Sequence, residues 1–125
     1  MSKANSFTLF SGGAGGAEAE FGKLAERYGV QEVTYSFEGH KIEHSRGLRI
    51  LTTEELTRKD VSLTYVSKLL GRKFSNAQMM RQVLQTIMHQ VDSGLEVFVI
   101  GAIQEDNTVK GGTGWGAEFA KICNK

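Results

Sequence analysis

Apolar and polar residues follow two different periods along the first third of the chain. Residues 7–10 are a short apolar, β-prone run that leads into a cluster of glycines, which predicts a strand followed by a turn. Beyond the turn, four apolar positions recur at the spacing of one helix face: Phe21, Leu24, Ala25 and Tyr28. Gly29 is placed to end this helix. Residues 33–37 alternate again and predict a second strand.

The next segments are shorter. Residues 38–46 are polar, hold two histidines and have glycines near both ends, so we predict a loop. Residues 48–51 predict a short third strand. Residues 52–55, with the sequence TTEE, have the composition of a helix start.

The middle of the chain predicts helices. Asp60 is a candidate cap for a first one, and Ser75 or Asn76 for a second. The second carries a wide apolar stripe at helical spacing, formed by Met80, Val83, Leu84, Ile87, Met88 and Val91. A core-facing surface accounts for this stripe without any ligand.

The last third returns to the strand and helix pattern. Residues 95–100 are nearly continuously apolar, which is typical of a central strand buried on both faces. After a polar segment at residues 104–110, glycines open a final helix with one apolar side: Trp115, Phe119, Ile122 and Cys123. Alternating strands and helices predict an α/β fold, a Rossmann-like three-layer parallel sheet with helices on both faces.

Composition narrows the classes of function. The chain has 125 residues, 40% of them hydrophobic, which fits one domain over residues 1–125. Its formal net charge of +1, with both signs mixed along the chain, offers no basic face for nucleic acid and no charge-driven membrane binding. We therefore expect neither nucleic acid nor a membrane as partner.

The single cysteine, Cys123, excludes an internal disulfide, and no apolar run reaches the length of a membrane span or signal peptide. These features favour the cytoplasm. The chain ends where a last helix would end, as in a compact or truncated version of a doubly wound domain. A short sheet also favours a homodimer or higher homo-oligomer.

Two glycine-rich turns carry the candidate chemistry. The first comprises Ser11, Gly12, Gly13, Ala14, Gly15 and Gly16, and the second Gly111, Gly112, Thr113 and Gly114. Each follows a predicted strand and precedes a predicted helix, so both are expected at the carboxyl edge of the sheet, where such folds bind ligands. Unpaired N–H groups and a partial positive charge at a helix start suit a phosphate, although glycine can also serve packing alone.

Several side chains could assist a ligand at these turns. Glu18 and Glu118 could bond a ribose hydroxyl or act as acid or base, or could simply favour their helix starts. His40 ends the second strand and could reach the same edge, or lie on the surface. Trp115 could stack on a base or pack on the sheet. No metal-ligand spacing is present, and neither turn matches the P-loop or dinucleotide patterns.

The two turns resemble those of one superfamily. Residues 11–18, SGGAGGAE, resemble the SGGA-x-GAD turn of SLOG proteins, and residues 111–118, GGTGWGAE, resemble the PGG-x-GT-x-x-E turn of the Lonely Guy phosphoribohydrolases. The resemblance implies a Rossmann-like sheet that holds a nucleotide or nucleotide-derived ligand over both turns, with no cofactor. Some relatives cleave an N-glycosidic bond, some sense signalling nucleotides, and some bind single-stranded DNA.

The enzyme pattern is only partly kept. Lys110 replaces the proline of the enzyme motif, and Trp115 replaces its threonine. The enzymes also use an arginine from an Arg-Lys pair; its nearest counterpart here, Arg81, is followed by Gln82. We therefore expect a nucleotide-binding sensor, carrier or sequestering protein. The alternative is a hydrolase of nucleoside monophosphates, with Glu118 and Arg81 as its catalytic residues.

Overall fold

The computed structural model describes residues 6–73 and 77–125. The chain has an α/β fold and divides into two compact units, Met1–Leu51 and Thr52–Lys125. The first unit contains the described sheet and the second is built from helices.

The first unit is a three-stranded parallel sheet with one helix. Its elements are β1 (Thr8–Ser11), α1 (Ala17–Arg27), β2 (Gln31–Ser36) and β3 (Leu48–Ile50), in the sheet order β1-β2-β3. Helix α1 contacts β1 and β2, and Gly29 turns the chain after the helix with a φ of 72°. The predicted strands, helix and loop of this region are confirmed.

The second unit has four helices among its described residues: α2 (Thr53–Thr57), α3 (Asp60–Leu70), α4 (Gln78–Ser93) and α5 (Gly111–Ile122). Helices α3, α4 and α5 contact one another. Their shared core contains eight buried residues: Leu63, Val66, Leu84, Met88, Val91, Trp115, Phe119 and Ala120. The predicted stripe on α4 supplies three of them, so its reading as a core face is confirmed.

The structure confirms one predicted helix start and contradicts one predicted helix cap. Thr52 caps α2 through a capping box with Glu55, as the TTEE pattern predicts. Asp60 does not cap α3, because it is the first helical residue and its carboxylate instead accepts a hydrogen bond from Gln85 at 2.8 Å. Ser75 and Asn76 lie outside the described residues.

The predicted strand at residues 95–100 is wrong. This segment belongs to no sheet within the described ranges, and Leu95 and Phe98 are 90% and 75% exposed. Val97 donates its N–H to the carbonyl oxygen of Lys125 and packs against the helical core. A strand is completed by a neighbouring strand, and an apolar run cannot specify that neighbour. The sheet of the described chain therefore has three strands, and the segment before α5 holds only the antiparallel bridge of Ile103 and Val109.

None of the helices described is both long and apolar enough to span a bilayer.

Candidate functional site

The glycine turn after β1 combines a buried base with an exposed tip. Ser11, Gly12 and Gly13 are buried, whereas Ala14, Gly15 and Gly16 are exposed. Gly13 and Gly16 have φ angles of 68° and 91°, which favour glycine over residues with a side chain. The turn thus leaves the carboxyl end of a parallel strand and enters α1 with its backbone open to solvent.

The backbone donors of this turn divide into two groups. The N–H of Gly13 donates to Ser11 Oγ at 3.2 Å, and the N–H of Ala14 donates to Glu18 Oε2 at 3.0 Å. Across the described ranges, no protein acceptor meets the N–H groups of Gly15, Gly16 and Ala17. These three donors lie at the N-terminus of α1, where the partial charge of the helix is positive.

Glu18 therefore has an observed role at the helix start. Its carboxylate satisfies a turn amide that would otherwise have only solvent or a ligand as acceptor. This favours the helix-start interpretation of Glu18, and places a negative charge beside the free donors.

The loop of residues 38–46 packs against the turn. The carbonyl oxygen of Gly13 accepts hydrogen bonds from the N–H groups of both Glu43, at 3.0 Å, and His44, at 3.1 Å. A Cβ on Gly13 would overlap the carbonyl oxygen of His44, and a Cβ on Gly15 would lie 2.7 Å from Glu43 Oε1. Gly13 thus has a packing role against the backbone of this loop.

A buried carboxylate holds the end of this loop to β2. The Glu32 side chain is 1% exposed; its oxygens lie 2.8 Å from His44 Nε2 and 2.8 Å from Arg46 NH1. Arg46 also donates to the carbonyl oxygen of Val30 at 2.7 Å. Sequence reasoning missed this network, since it considered His44 only for metal-ligand spacing. No group of three metal-ligating side chains occurs in the part of the chain that the structure describes.

His40 lies just beyond the carboxyl end of β2, and β2 is the strand that pairs with β1 in the sheet. Its ring stacks on Phe37 with a centroid distance of 4.5 Å, and its Nδ1 lies 3.3 Å from Ser36 Oγ. His40 and the first glycine turn therefore lie at the same edge of the sheet in the first unit.

The second glycine cluster has a different structural setting. Within the described residues, no strand leads directly into it. Gly111 has a φ of 73° and α5 begins there, while Gly114 and Gly116 are buried. The Arg72 guanidinium donates to the carbonyl oxygens of Gly111 and Val109 at 3.3 and 2.9 Å. A shared ligand edge would need a parallel strand directly before each turn, and in the part of the chain that is described only the first turn has one.

The other predicted site residues lie in the second unit with partners of their own. Trp115 is 5% exposed and belongs to the helical core, which favours packing over base stacking. Glu118 pairs with Lys121 at 3.8 Å, and Arg81 pairs with Asp60 at 3.0 Å. Thr113 is exposed, and Gly112 faces Ile87 and Leu84 on α4.

Comparisons with family models, curated proteins and solved structures find no match to this chain.

Proposed function

We propose that the first unit binds the phosphate group of a nucleotide or nucleotide-derived ligand at the glycine turn after β1, in a sensor, carrier or sequestering role. The observation that carries the proposal is the set of three exposed donors on Gly15, Gly16 and Ala17, for which the described residues offer no acceptor. Backbone N–H groups at a helix start suit an anion without any lysine.

Two further features support a nucleotide over a bare anion. Residues 11–18 resemble the ligand turn of SLOG proteins. The imidazole of His40 lies on the same sheet edge, where it could meet the rest of a larger ligand. The proposal involves no metal or cofactor.

The hydrolase alternative would use Glu118 and Arg81. Each has an ion-pair partner in the second unit, Lys121 and Asp60 respectively. These pairs give both residues a structural role, and no contact described here favours catalysis, so the proposal concerns binding alone.

An Ala17→Pro variant tests the donors directly. Ala17 is the first residue of α1, where proline is well accepted and removes only the N–H. We expect AMP or ADP-ribose to bind at least about tenfold more weakly, because a hydrogen bond to a charged group contributes ~1.5–3 kcal/mol. Isothermal titration calorimetry measures the affinity, and thermal unfolding checks that the variant folds.

Thr53→Pro is the matched control, since Thr53 is the first residue of α2 in the second unit. It should bind the nucleotide as the wild type does. Absence of heat and of thermal shift with AMP, ADP-ribose and a cyclic dinucleotide in the wild type would overturn the proposal, as would equal affinities of both proline variants.

A further inference from the structure

The loop of residues 38–46, here called the strap, is fixed to the glycine turn by backbone contacts. Its Glu43 and His44 N–H groups converge on one oxygen, the carbonyl of Gly13. The His44 ring also lies against α1, because a Cβ on Gly22 would contact that ring. The strap therefore packs against both the turn and the helix that the turn begins.

The far end of the strap is fixed by the buried charge of Glu32. Its two oxygens are shared between His44 Nε2 and Arg46 NH1, both at 2.8 Å. Release of these contacts would leave the buried Glu32 carboxylate without partners. It is therefore opposed by the cost of an unpaired buried charge as well as by the lost hydrogen bonds. We call this three-residue network the latch.

The closed strap brings a negative charge to the turn. Glu43 Oε1 lies 2.7 Å from the position that a Cβ of Gly15 would occupy. The free N–H of Gly15 is one of the donors assigned above to the ligand phosphate. A carboxylate at this distance from the turn opposes the approach of an anion by Coulomb repulsion.

We propose that the strap is an autoinhibitory arm: in the latched state Glu43 opposes phosphate binding at the turn, and opening of the latch removes this opposition. The inference rests on the proposed function of the turn. Glu32 acts in it as a positioning residue that controls Glu43 through the strap.

The first test measures affinity for AMP and for inorganic phosphate in Glu43→Gln. We expect about fivefold tighter binding than in the wild type, the ratio that corresponds to ~1 kcal/mol for two unit charges about 4 Å apart in water. The gain should shrink at high salt. Glu26→Gln, an exposed glutamate in the last turn of α1, makes the same charge change away from the turn and should leave affinity unchanged.

The second test needs no ligand. In Glu32→Gln, amide hydrogen exchange of Glu43 and His44 should become about tenfold faster, a change equivalent to ~1.4 kcal/mol of opening free energy. Unchanged exchange at both amides would overturn the latch. If Glu32→Gln destabilised the whole unit, the β2 amides would also exchange faster. The affinity of Glu43→Gln would then decide the inference.

The outcomes separate the inference from the proposed function. Equal affinities of the wild type and Glu43→Gln overturn the autoinhibitory arm while the ligand site stands. Failure of both proteins to bind AMP, inorganic phosphate, ADP-ribose and a cyclic dinucleotide overturns the ligand site and the arm with it. Tighter binding in Glu26→Gln to the same degree as in Glu43→Gln attributes the effect to net charge and overturns the arm.

Discussion

Residues 11–18 and residues 111–118 share a pattern of glycines followed by Ala-Glu, yet the chain uses the two segments differently. In the first, the glycines allow a strand to turn into a helix and bring the backbone against a loop. In the second, the glycines lie inside the helix itself and bring it close to a neighbouring helix: a Cβ on Gly116 would lie 2.9 Å from Ile87 Cγ2.

A glycine cluster therefore marks a close approach of the backbone without identifying the group that approaches. In the first turn the approaching groups are the His44 carbonyl and the Glu43 carboxylate, and three donors stay open. In the second they are the side chains of α4 and the carbonyl oxygen of Val109. Substitutions of three residues, each with a matched control, and one pH titration test the two segments and their surroundings.

The largest effect is expected at Gly114. A Cβ there would overlap the carbonyl oxygen of Val109 and lie 2.8 Å from Arg72 NH1, so Gly114→Ala should destabilise the second unit by about 4 kcal/mol. Trp115 is the only tryptophan and is buried in this unit, so denaturant unfolding followed by its fluorescence reports the change.

The matched control for Gly114 is Gly112, two residues earlier in α5. Its Cβ would lie 3.7 Å from Ile87 Cδ1 and 3.8 Å from Leu84 Cδ2, at ordinary packing distances. Gly112→Ala should therefore leave stability unchanged or raise it by up to ~1 kcal/mol through helix propensity. Equal losses in both variants would contradict the packing account of the second cluster.

A smaller loss is expected at Gly13 in the first unit. Gly13→Ala adds backbone strain at a φ of 68° to an overlap with the His44 carbonyl, which should cost about 3 kcal/mol. Amide hydrogen exchange of the β2 residues measures it. Gly39→Ala shares the positive φ, at 85°, but has open space around its Cβ and should lose only about 1 kcal/mol.

Arg72 should have an intermediate and more local effect. Its guanidinium also donates to Gln104 Oε1 at 2.7 Å and Thr108 Oγ1 at 2.9 Å, so Arg72→Met should destabilise the loop before α5 by about 2 kcal/mol. Faster exchange of the Lys110 N–H, which donates to the Ala102 carbonyl, would record this. Arg58→Met, an exposed control, should stay within ~0.5 kcal/mol of the wild type.

The smallest effect is a pH dependence of the second unit. Burial lowers the pKa of His89, whose Nε2 lies 2.7 Å from the Glu55 carbonyl oxygen. Below the usual histidine pKa the unfolded chain therefore binds more protons at this position, so stability should fall as the pH drops from about 7 to about 5. Trp115 fluorescence during unfolding at each pH measures it. A slope that is the same in His89→Gln would exclude this assignment.

Local patterns predicted most of the elements. The periods of residues 7–10 and 33–37 and the stripe on α4 identify two strands and a long helix, because these depend on near neighbours in the chain. The strand predicted at residues 95–100 failed because a strand also needs a partner elsewhere in the sequence.

The glycine turn of the candidate site could be predicted from the sequence, whereas the network of charged side chains beside it could not. The glycines and Glu18 are visible in the motif, and the hydrogen bonds that the N–H groups of Gly13 and Ala14 donate span at most four residues. The network of Glu32, His44 and Arg46 joins residues twelve to fourteen positions apart through the pairing of β2 with β3. Such pairs leave no local signal, so the carboxylate control proposed for the turn emerges only from the fold.

The exposed apolar segment at residues 95–100 has a consequence for handling the protein. It presents Leu95, Phe98 and Ile100 to water on a backbone that, among the described residues, has a hydrogen bond only at Val97. Such a stretch templates intermolecular β-aggregation, and a net charge of +1 provides little colloidal repulsion. These six residues should therefore limit the solubility of the purified protein, and Phe98→Lys should increase that solubility.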